Sequence, residues 1–464
     1  MAKKQLTIEE KLQAALVPVE EQPYKVPENW CWVRLGSVTT RIKRGKSPKY
    51  VDESEFPVFA QKCNQKDGTI ALEKARFLNP DMAMKLSEEE FLHENDVVIN
   101  STGTGTLGRV GFFREQDKLS YEKILPDSHV TVVRPSTVVE NFFLYLFLKG
   151  KQSFLELQGT GSTNQKELRP AMISELMLPL PPQKEQSRIV ARIESLFAKL
   201  DEAKEKIQEV LDGAELRRDA ILHQAFTGKL TAKWRKETGV SVDSWLNVKT
   251  QDVCEKIVCG KTPKEFISLE GEVPFLKVFN IVNNKVDFAG NKQYIPKEIS
   301  DKKLKSSILK PNDIIMNIVG PPLRKIAIIP NDYGEWNMNQ AIVRFRPKDV
   351  LNYQYLYYAL LYPKTLDEVI KKTRGVVGQA NISITQSRNL MIPLPTLPEQ
   401  QEIVRLLDNL LSREQATVNA CEKALNTIDT LKKSILARAF RGELGTNDSA
   451  EPSAKELLQE ILAS

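Results

Sequence analysis

MLPLPPQKEQSRIV, residues 177–190, and MIPLPTLPEQQEIV, residues 391–404, agree at eight of fourteen positions at an offset of 214. The same offset, without a gap, aligns ILHQAFTGKL from Ile221 with ILARAFRGEL from Ile435, where six of ten residues agree. Agreement at this level marks a duplication, and an internal repeat governs every later step of a fold assignment. The residues before each segment correspond more loosely: Trp30 with Trp245, Val33 with Val248, Val38 with Val253, Ile42 with Ile257. RGKSPK, ending at Lys49, matches CGKTPK, ending at Lys264, and ENDVVIN, ending at Asn100, matches PNDIIMN, ending at Asn317. The order is block, helix, block, helix: two divergent blocks between two closely similar connectors.

Working outward, both connectors become helical after their prolines, which the first turn of a helix tolerates and its interior does not. Apolar residues at Ile189, Ile193, Leu196, Leu200, Ala203, Ile207, Val210, Ala214 and Ile221 alternate steps of four and three, a heptad seam. Ile403, Leu407, Leu410, Cys421, Ala424, Ile428, Leu431 and Ile435 take the same register, with Glu414 and Thr417 weakening its middle. Gly228 and Gly442 follow, where a left-handed stop is needed. Each predicted helix runs for about 40 residues, or about 60 Å at a rise of 1.5 Å per residue. One apolar seam on so long a helix requires a partner, and the other copy in the same chain can supply it in antiparallel sense.

The blocks mix short β-rich runs (DVVIN, VTVVRP, VPFLKVFNI, DIIMNIV, AIVRFRP) with one helical segment each, NFFLYLFLKG and NYQYLYYALLYPKTLDEVIKK. The expected fold is α/β: two mixed domains joined by two long antiparallel helices, with an internal pseudo-two-fold repeat. The predicted boundaries are an N-terminal extension over 1–26, a first block over 27–182, a long helix over 183–228 and a linker over 229–241. A second block follows over 242–397, then a second long helix over 398–442 and a tail over 443–464 with a short helix. In the extension, Ile8, Leu12 and Leu16 are spaced by four.

The chain of 464 residues carries 66 basic and 60 acidic side chains. At roughly 150 residues per domain this length suggests about three units, or two with a linker. Hydrophobic residues at 41% and charged residues at 27% exclude wholesale disorder. No run of about 18 apolar residues occurs, so no membrane span is expected. The acids in MAKKQLTIEEKLQAAL do not suit an export signal. Five cysteines without framework spacing suggest reduced thiols in a cytoplasm. With three scattered histidines, His93, His129 and His223, no metal site is expected.

The loops suit nucleic acid. Arg and Lys pair with guanine edges, Asn and Gln with adenine edges. Lys, Ser and Thr also hold phosphates. The run RIKRGKSPK contributes Arg41, Lys43, Arg44, Lys46 and Lys49 as candidates, with no acid among them. QKCNQK, residues 61–66, contributes Asn64, Gln65 and Lys66. The glycine-rich turn after DVVIN contributes Thr102 and Thr104, and GTGSTNQK contributes Thr163, Asn164 and Lys166. In the second block the candidates are Lys261, Lys264, Asn283, Asn284, Lys285, Arg324, Arg374, Gln379 and Asn381. For any one of these, ordinary surface is the competing explanation; similar loops at matching places in both blocks favour the set.

Two motifs mislead. Gly103, Gly105 and Gly108 fit G-x-G-x-x-G after a strand, but RVGFF follows as strand, not as the helix a dinucleotide needs. Gly260-Lys261-Thr262 looks like the end of a phosphate loop, yet Glu255 stands where its first glycine belongs. No nucleophile motif, carboxylate cluster or amino-methyltransferase signature is present, so no catalytic residues are expected.

With these residues in view, the chain resembles the specificity subunit of type I restriction-modification enzymes. The resemblance is carried by PLPPQKEQSRIVARIESLF from Pro179, PLPTLPEQQEIVRLLDNLL from Pro393 and the two I-L-x-x-A-F-x-G-x-L helix ends. It spans nearly the whole chain. It implies a non-catalytic subunit with two target-recognition domains, each reading half of a bipartite asymmetric site in double-stranded DNA. It implies docking of two methyltransferase subunits and of motor and nuclease subunits, and a roughly circular arrangement in which the two termini meet. S-adenosylmethionine and ATP would be held by those partners and no cofactor by this chain. The alternatives from other classes are a free-standing DNA methyltransferase or nuclease with an unfamiliar site, and a coiled-coil scaffold that binds only protein.

Overall fold

The computed structural model describes residues 7–158, 167–263, 267–373 and 380–463. It is an α/β fold that divides into two compact units, Met1–Lys206 with Ala424–Ser464, and Ile207–Lys423. Each unit contains one block and one half of each long helical segment.

In the first unit the main sheet runs Thr39–Arg44, Val130–Pro135, Val97–Asn100, Val110–Phe112, antiparallel throughout. The second unit repeats it as Val258–Cys259, Ile342–Phe345, Ile314–Asn317, Ile326–Ile328. A smaller sheet in each holds one parallel pair, Pro57–Phe59 with Leu125–Pro126 and Val273–Leu276 with Asn337–Met338. The central strands Val97–Asn100 and Ile314–Asn317 are buried along their whole length, which is why they read as continuous apolar runs rather than alternating ones. A two-stranded ribbon closes each block by joining its ends: Cys31↔Leu180 to Arg34↔Met177, and Leu246↔Leu394 to Lys249↔Met391. Because entry and exit strands pair, each block is a closed insertion that can diverge without disturbing the helices.

Several sequence expectations change in detail. The cationic run is not a loop: residues 39–44 form a strand, where alternation places Arg41 and Lys43 on one face. Each block has two successive helices rather than one segment, Asn141–Gly150 with Gln152–Gln158 and Tyr353–Leu361 with Pro363–Thr373. Pro363 forces the second break, since it has no N–H to continue the ladder. The first long helix is interrupted at Gly213 into Gln183–Asp212 and Ala214–Phe226, whereas the second is continuous over Leu397–Ala439. A Cβ at Gly213 would lie 2.7 Å from Arg217 Nη1. The glycine makes room for that guanidinium, which donates to the Val210 carbonyl at 2.7 Å and pairs with Glu414 at 2.8 Å. The polar position that weakens the second seam is thus answered from the first. Val210 and Leu431, both placed in the seam by spacing, are 37% and 44% exposed. A two-helix pair buries only a narrow stripe.

Within each unit the helices run antiparallel. In the first, Glu185 contacts Thr446 and Asn447 while Asp201 pairs with Lys432. In the second, Arg217 meets Glu414 while Thr231 meets Glu399. The repeated Ala-Phe pair explains itself here. Phe440 lies against Phe143 and Phe147 at 5.2 and 5.3 Å, and Phe226 lies against Tyr355 and Tyr362 at 5.4 and 5.3 Å. Each aromatic contact contributes about 0.5–1.5 kcal/mol beyond its buried area. Gly228 and Gly442 stop the helices at φ +76° and +75°. The termini do meet: in the first unit helix Ile8–Ala15 packs on Ala454–Ala463 through Leu12, Ala15, Ala454 and Leu458.

Candidate nucleic-acid interface

The block of the first unit opens a cleft of about 1060 Å³ beside the end of its main sheet. Strand Thr39–Arg44 brings Arg44 to it, the turn Gln61–Cys63 brings Gln61, and the loop before Val130 brings His129. The glycine-rich segment is a hairpin turn between Val97–Asn100 and Val110–Phe112, not a nucleotide loop, and it brings Thr102, Thr104 and Arg109. Its glycines have φ of +106°, +75° and +77°, and a Cβ at Gly108 would sit 2.6 Å from the backbone nitrogen of Glu156. The turn therefore needs glycine for its own geometry and for close approach to a helix.

Gln61 donates its amide to Thr102 Oγ1, and Thr102 Oγ1 meets His129 Nδ1 at 2.8 Å. These bonds fix three side chains that can exchange hydrogen bonds with a base edge. Arg109 is braced at 3.0 Å on the Gly105 carbonyl, and Arg44 on the Leu168 carbonyl at 3.1 Å and on Glu167. Lys66 adds a third cation to the lining, which also holds Glu156 and the Glu167 carboxylate that pairs with Arg44. Lys149 anchors the Lys66 loop from behind, donating to Lys66 O at 3.1 Å and Gln152 Oε1 at 2.8 Å. Burial pushes its amine down to about 8, with Asp67 opposing the shift.

Four sequence candidates, Arg44, Lys66, Thr102 and Thr104, thus converge on one cleft. Arg41, Lys43 and Lys46 instead converge on Glu90, at 3.6, 3.2 and 3.7 Å. Burial works to raise the Glu90 carboxyl, but these three cations outweigh it and hold the group below its ordinary value. Arg41 has only 10% of its side chain exposed, so it braces the strand rather than facing solvent. Lys49 is exposed. Asn64 is fully buried and brackets the turn, donating to Arg109 O at 3.0 Å and Asn100 Oδ1 at 3.2 Å. Gln65 bonds to Lys62 O and accepts from Lys74.

The second block gathers its candidates less tightly. Asn283 and Asn284, at φ +48° and +56°, are the two central residues of a tight hairpin between Ile281–Val282 and Lys285–Val286, a role that suits asparagine. Asn284 is held by Ile326 N and Tyr357 OH, while Lys285 is exposed. Arg324 pairs with Asp367, and Asn381 is exposed on a strand beside Val319. Lys261 is exposed after Gly260, where a Cβ would lie 2.1 Å from the Met338 carbonyl. That close approach, and not a phosphate, accounts for the glycine. Thr163, Asn164, Lys166, Lys264, Arg374 and Gln379 lie outside the described residues.

Sequence reasoning missed Gln61, Arg109 and His129 as site residues, because nothing local shows that three separate loops meet. It also missed a second constellation that its own repeat had flagged by identity. Glu185 and Glu399 are both fully buried in the first turns of the long helices. Trp30 donates to Glu185 at 2.8 Å, and its counterpart Trp245 donates to Glu399 at 2.9 Å. The next residues, Gln186 and Gln400, each reach back to two carbonyls of their own unit, Val138 and Pro181 or Val350 and Pro395. The helix N-terminus favours the carboxylates, and each Glu-Gln pair ties block to frame in the same way.

Two dissimilar blocks mounted identically on a repeated helical frame define a doubled recognition protein. The chain belongs to the type I restriction modification DNA specificity domain family, whose model matches residues 27–212 and again 243–425, and its part is recognition rather than catalysis. It is 25% identical to the EcoKI specificity subunit of Escherichia coli K12 over 95% of this chain and 96% of that one. With the MjaVIII specificity subunit of Methanocaldococcus jannaschii it shares 28% identity over 88% and 92% of the two chains. Among solved structures, a chain from a type I R-M system superposes with a TM-score of 0.67 at 20% identity, covering 91% of this chain and all of that one. The HsdS subunit from Thermoanaerobacter tengcongensis gives 0.60 at 21% identity, with 92% and 100% covered. No helix among the described residues is long and apolar enough to cross a membrane.

Proposed function

We propose that the chain is the DNA-reading subunit of a type I restriction-modification complex. Each block reads one half of a bipartite, asymmetric site in double-stranded DNA. Two methyltransferase subunits and the motor and nuclease subunits supply the chemistry in the cytoplasm, and those partners hold S-adenosylmethionine and ATP.

The observation that carries this reading is the contrast at equivalent positions of one sheet framework. Where the first block presents Arg44, Gln61, Thr102 and His129 to its cleft, the second has Cys259, Val278, Val319 and Ala341. A frame kept constant under a surface that changes its hydrogen-bonding code is what a reader of two different half-sites requires. The cations Arg44, Lys66 and Arg109 supply the phosphate attraction that draws DNA to the cleft.

The test replaces Arg44 and Arg109 together by Ala in the assembled complex. Loss of two cations should weaken DNA binding by about tenfold or more and reduce the salt slope by roughly one to two. Mapping of methylated adenines should show relaxed selectivity in one half-site and none in the other. Unchanged selectivity in both halves would remove the cleft as a reading surface.

A further inference from the structure

The bonds among Gln61, Thr102 and His129 settle which hydrogen each side chain has left for a ligand. The Thr102 hydroxyl has one hydrogen and two lone pairs. The Gln61 amide nitrogen is a donor, so it takes one lone pair of Thr102 Oγ1. The hydroxyl hydrogen is then free for His129 Nδ1, which lies 2.8 Å away and accepts it when the ring is neutral. A neutral ring that accepts at Nδ1 carries its hydrogen on Nε2. In a protonated ring, Nδ1–H turns to the second lone pair of Thr102 and Nε2 keeps its hydrogen. His129 therefore offers the cleft a donor in both charge states.

The surroundings hold this chain of bonds in place. His129 N donates to Asp127 Oδ1 at 2.8 Å, and its carbonyl accepts from Ser101 N at 2.8 Å. The Gln61 carbonyl accepts from Asn100 Nδ2 at 3.1 Å. A Cβ on Gly103 would stand 2.9 Å from Gln61 Oε1, so the glycine leaves the amide its place. The second block has Val278, Val319 and Ala341 at these positions, which can form no such chain. The equivalence holds through the block helices. Ala341 precedes Asn352 by as many residues as His129 precedes Glu140, and Glu140 N donates to Gln186 as Asn352 N does to Gln400.

The rest of the lining has donors to spare. Arg44, Lys66 and Arg109 are donors only. The carboxylates already have partners, Glu167 in Arg44 and Glu156 in Gln152, which donates to it at 3.0 Å. Leu107 is the one apolar side chain in the lining among the described residues. In the major groove guanine shows two acceptors, N7 and O6. Adenine sets an amino donor beside its N7, thymine a methyl group beside its O4, and cytosine shows an amino donor. Only guanine meets this lining with acceptors alone. We infer that the first block reads a guanine of its half-site, with His129 Nε2 donating to N7 and Thr102 as the positioning residue that keeps the hydrogen on Nε2. This rests on the function proposed above and names a base in the half-site that the first block reads.

The experiment measures binding of the assembled complex to duplexes carrying its site, located by mapping methylated adenines. Each guanine is replaced singly by 7-deazaguanine, which lacks N7 and still pairs with cytosine. The first block's half-site is the one whose selectivity relaxes when Arg44 and Arg109 are replaced. There, one replacement should weaken wild-type binding by about tenfold. His129→Ala should bind the normal and modified duplexes equally, the pairing of variant and modified base isolating this one contact. Thr102→Val should reduce the difference to about threefold or less, and Thr102→Ser, which keeps the hydroxyl, should restore it. A first half-site without guanine, or no loss at any of its guanines, would overturn the inference and leave the proposed function intact. So would an undiminished loss in His129→Ala, and equal behaviour of Thr102→Val and Thr102→Ser would remove Thr102 from the positioning role. A wild-type complex that bound all sequences equally would overturn the proposed function itself.

Discussion

Glu185 and Glu399 occupy the same point of the repeated frame, but they are not held alike. Glu399 takes a guanidinium: Arg235, with 10% of its side chain exposed, meets it at 2.6 Å, and Thr231 adds a bond at 2.7 Å. Glu185 takes neutral groups, Asn447 at 2.9 Å and Thr446 at 3.2 Å, while the nearby Arg188 is drawn off to Glu451 at 2.8 Å. In the second unit the partners come from Thr231 and the short helix Ala232–Thr238, which carries Arg235, whereas in the first they come from the tail segment at Thr446 and Asn447. The same carboxylate can therefore be a hydrogen-bond hub on one side and half of a buried ion pair on the other.

The largest consequence is an unequal response to one substitution. Glu399→Ala leaves Arg235 buried without its partner, a loss of about 3–5 kcal/mol. Glu185→Ala leaves only neutral donors unsatisfied, a loss of about 1–3 kcal/mol. Urea unfolding of the two variants, followed by tryptophan fluorescence, should show the second unit failing first in Glu399→Ala. Equal losses would mean that the frame, and not the local partner, sets the strength of each hub.

A smaller effect concerns the seam. The second unit has Arg217 and Glu414 where the offset places Leu431 and Leu200 in the first. The ion pair is partly open, with side chains 40% and 17% exposed, so removing one member should cost only about 1 kcal/mol. Converting both to Leu imports the first unit's residues. It should be neutral or stabilising, since paired charges seldom outperform well-packed apolar side chains of similar volume. Thermal unfolding of Arg217→Leu, Glu414→Leu and the double variant checks this. A double variant worse than both singles would show that the break at Gly213 needs the guanidinium.

The repeat, the two helices and the α/β blocks were legible because they depend on local periodicity and on self-similarity, whereas the meeting of the termini followed from the family resemblance. Three cleft residues, Lys66, Thr102 and Thr104, were legible because they lie in polar turns, and Arg44 because it belongs to a run of cations without an acid. His129 and Gln61 were not, because their role comes from three loops that only the fold brings together. The strand at Arg41 was misread because its cations alternate with Thr40 and Ile42, a weak period-two signal beneath a strong charge signal. Glu185 and Glu399 were visible as identities in the repeat, but a charged residue in a helix looks solvated until its neighbours are known.

The smallest effect compares Lys149 with Leu361, its counterpart in the second unit by the block-helix register. Burial lowers the Lys149 amine from 10.5 to about 8, so below pH 8 the folded chain holds a charge that the unfolded chain carries more cheaply. As pH rises from about 8 towards 10.5 the folded state releases this proton first, and its stability should increase across that window. At 1.36 kcal/mol per unit, and less for a side chain still partly in contact with water, the gain should be about 1–2 kcal/mol. Lys149→Leu should abolish this rise. At pH 7 it should change stability by about 1 kcal/mol or less, because relief of the buried charge offsets the lost bonds to Lys66 O and Gln152. The same variant frees the loop that carries Lys66, so DNA affinity at the first cleft should fall by roughly two- to fivefold without a change of sequence preference, as expected for a phosphate contact. Matched unfolding titrations at pH 7.5 and 10 separate the two effects. If wild type and variant gained stability equally over that interval, Lys149 would not be the group that titrates, and the contrast with Leu361 would be one of packing alone.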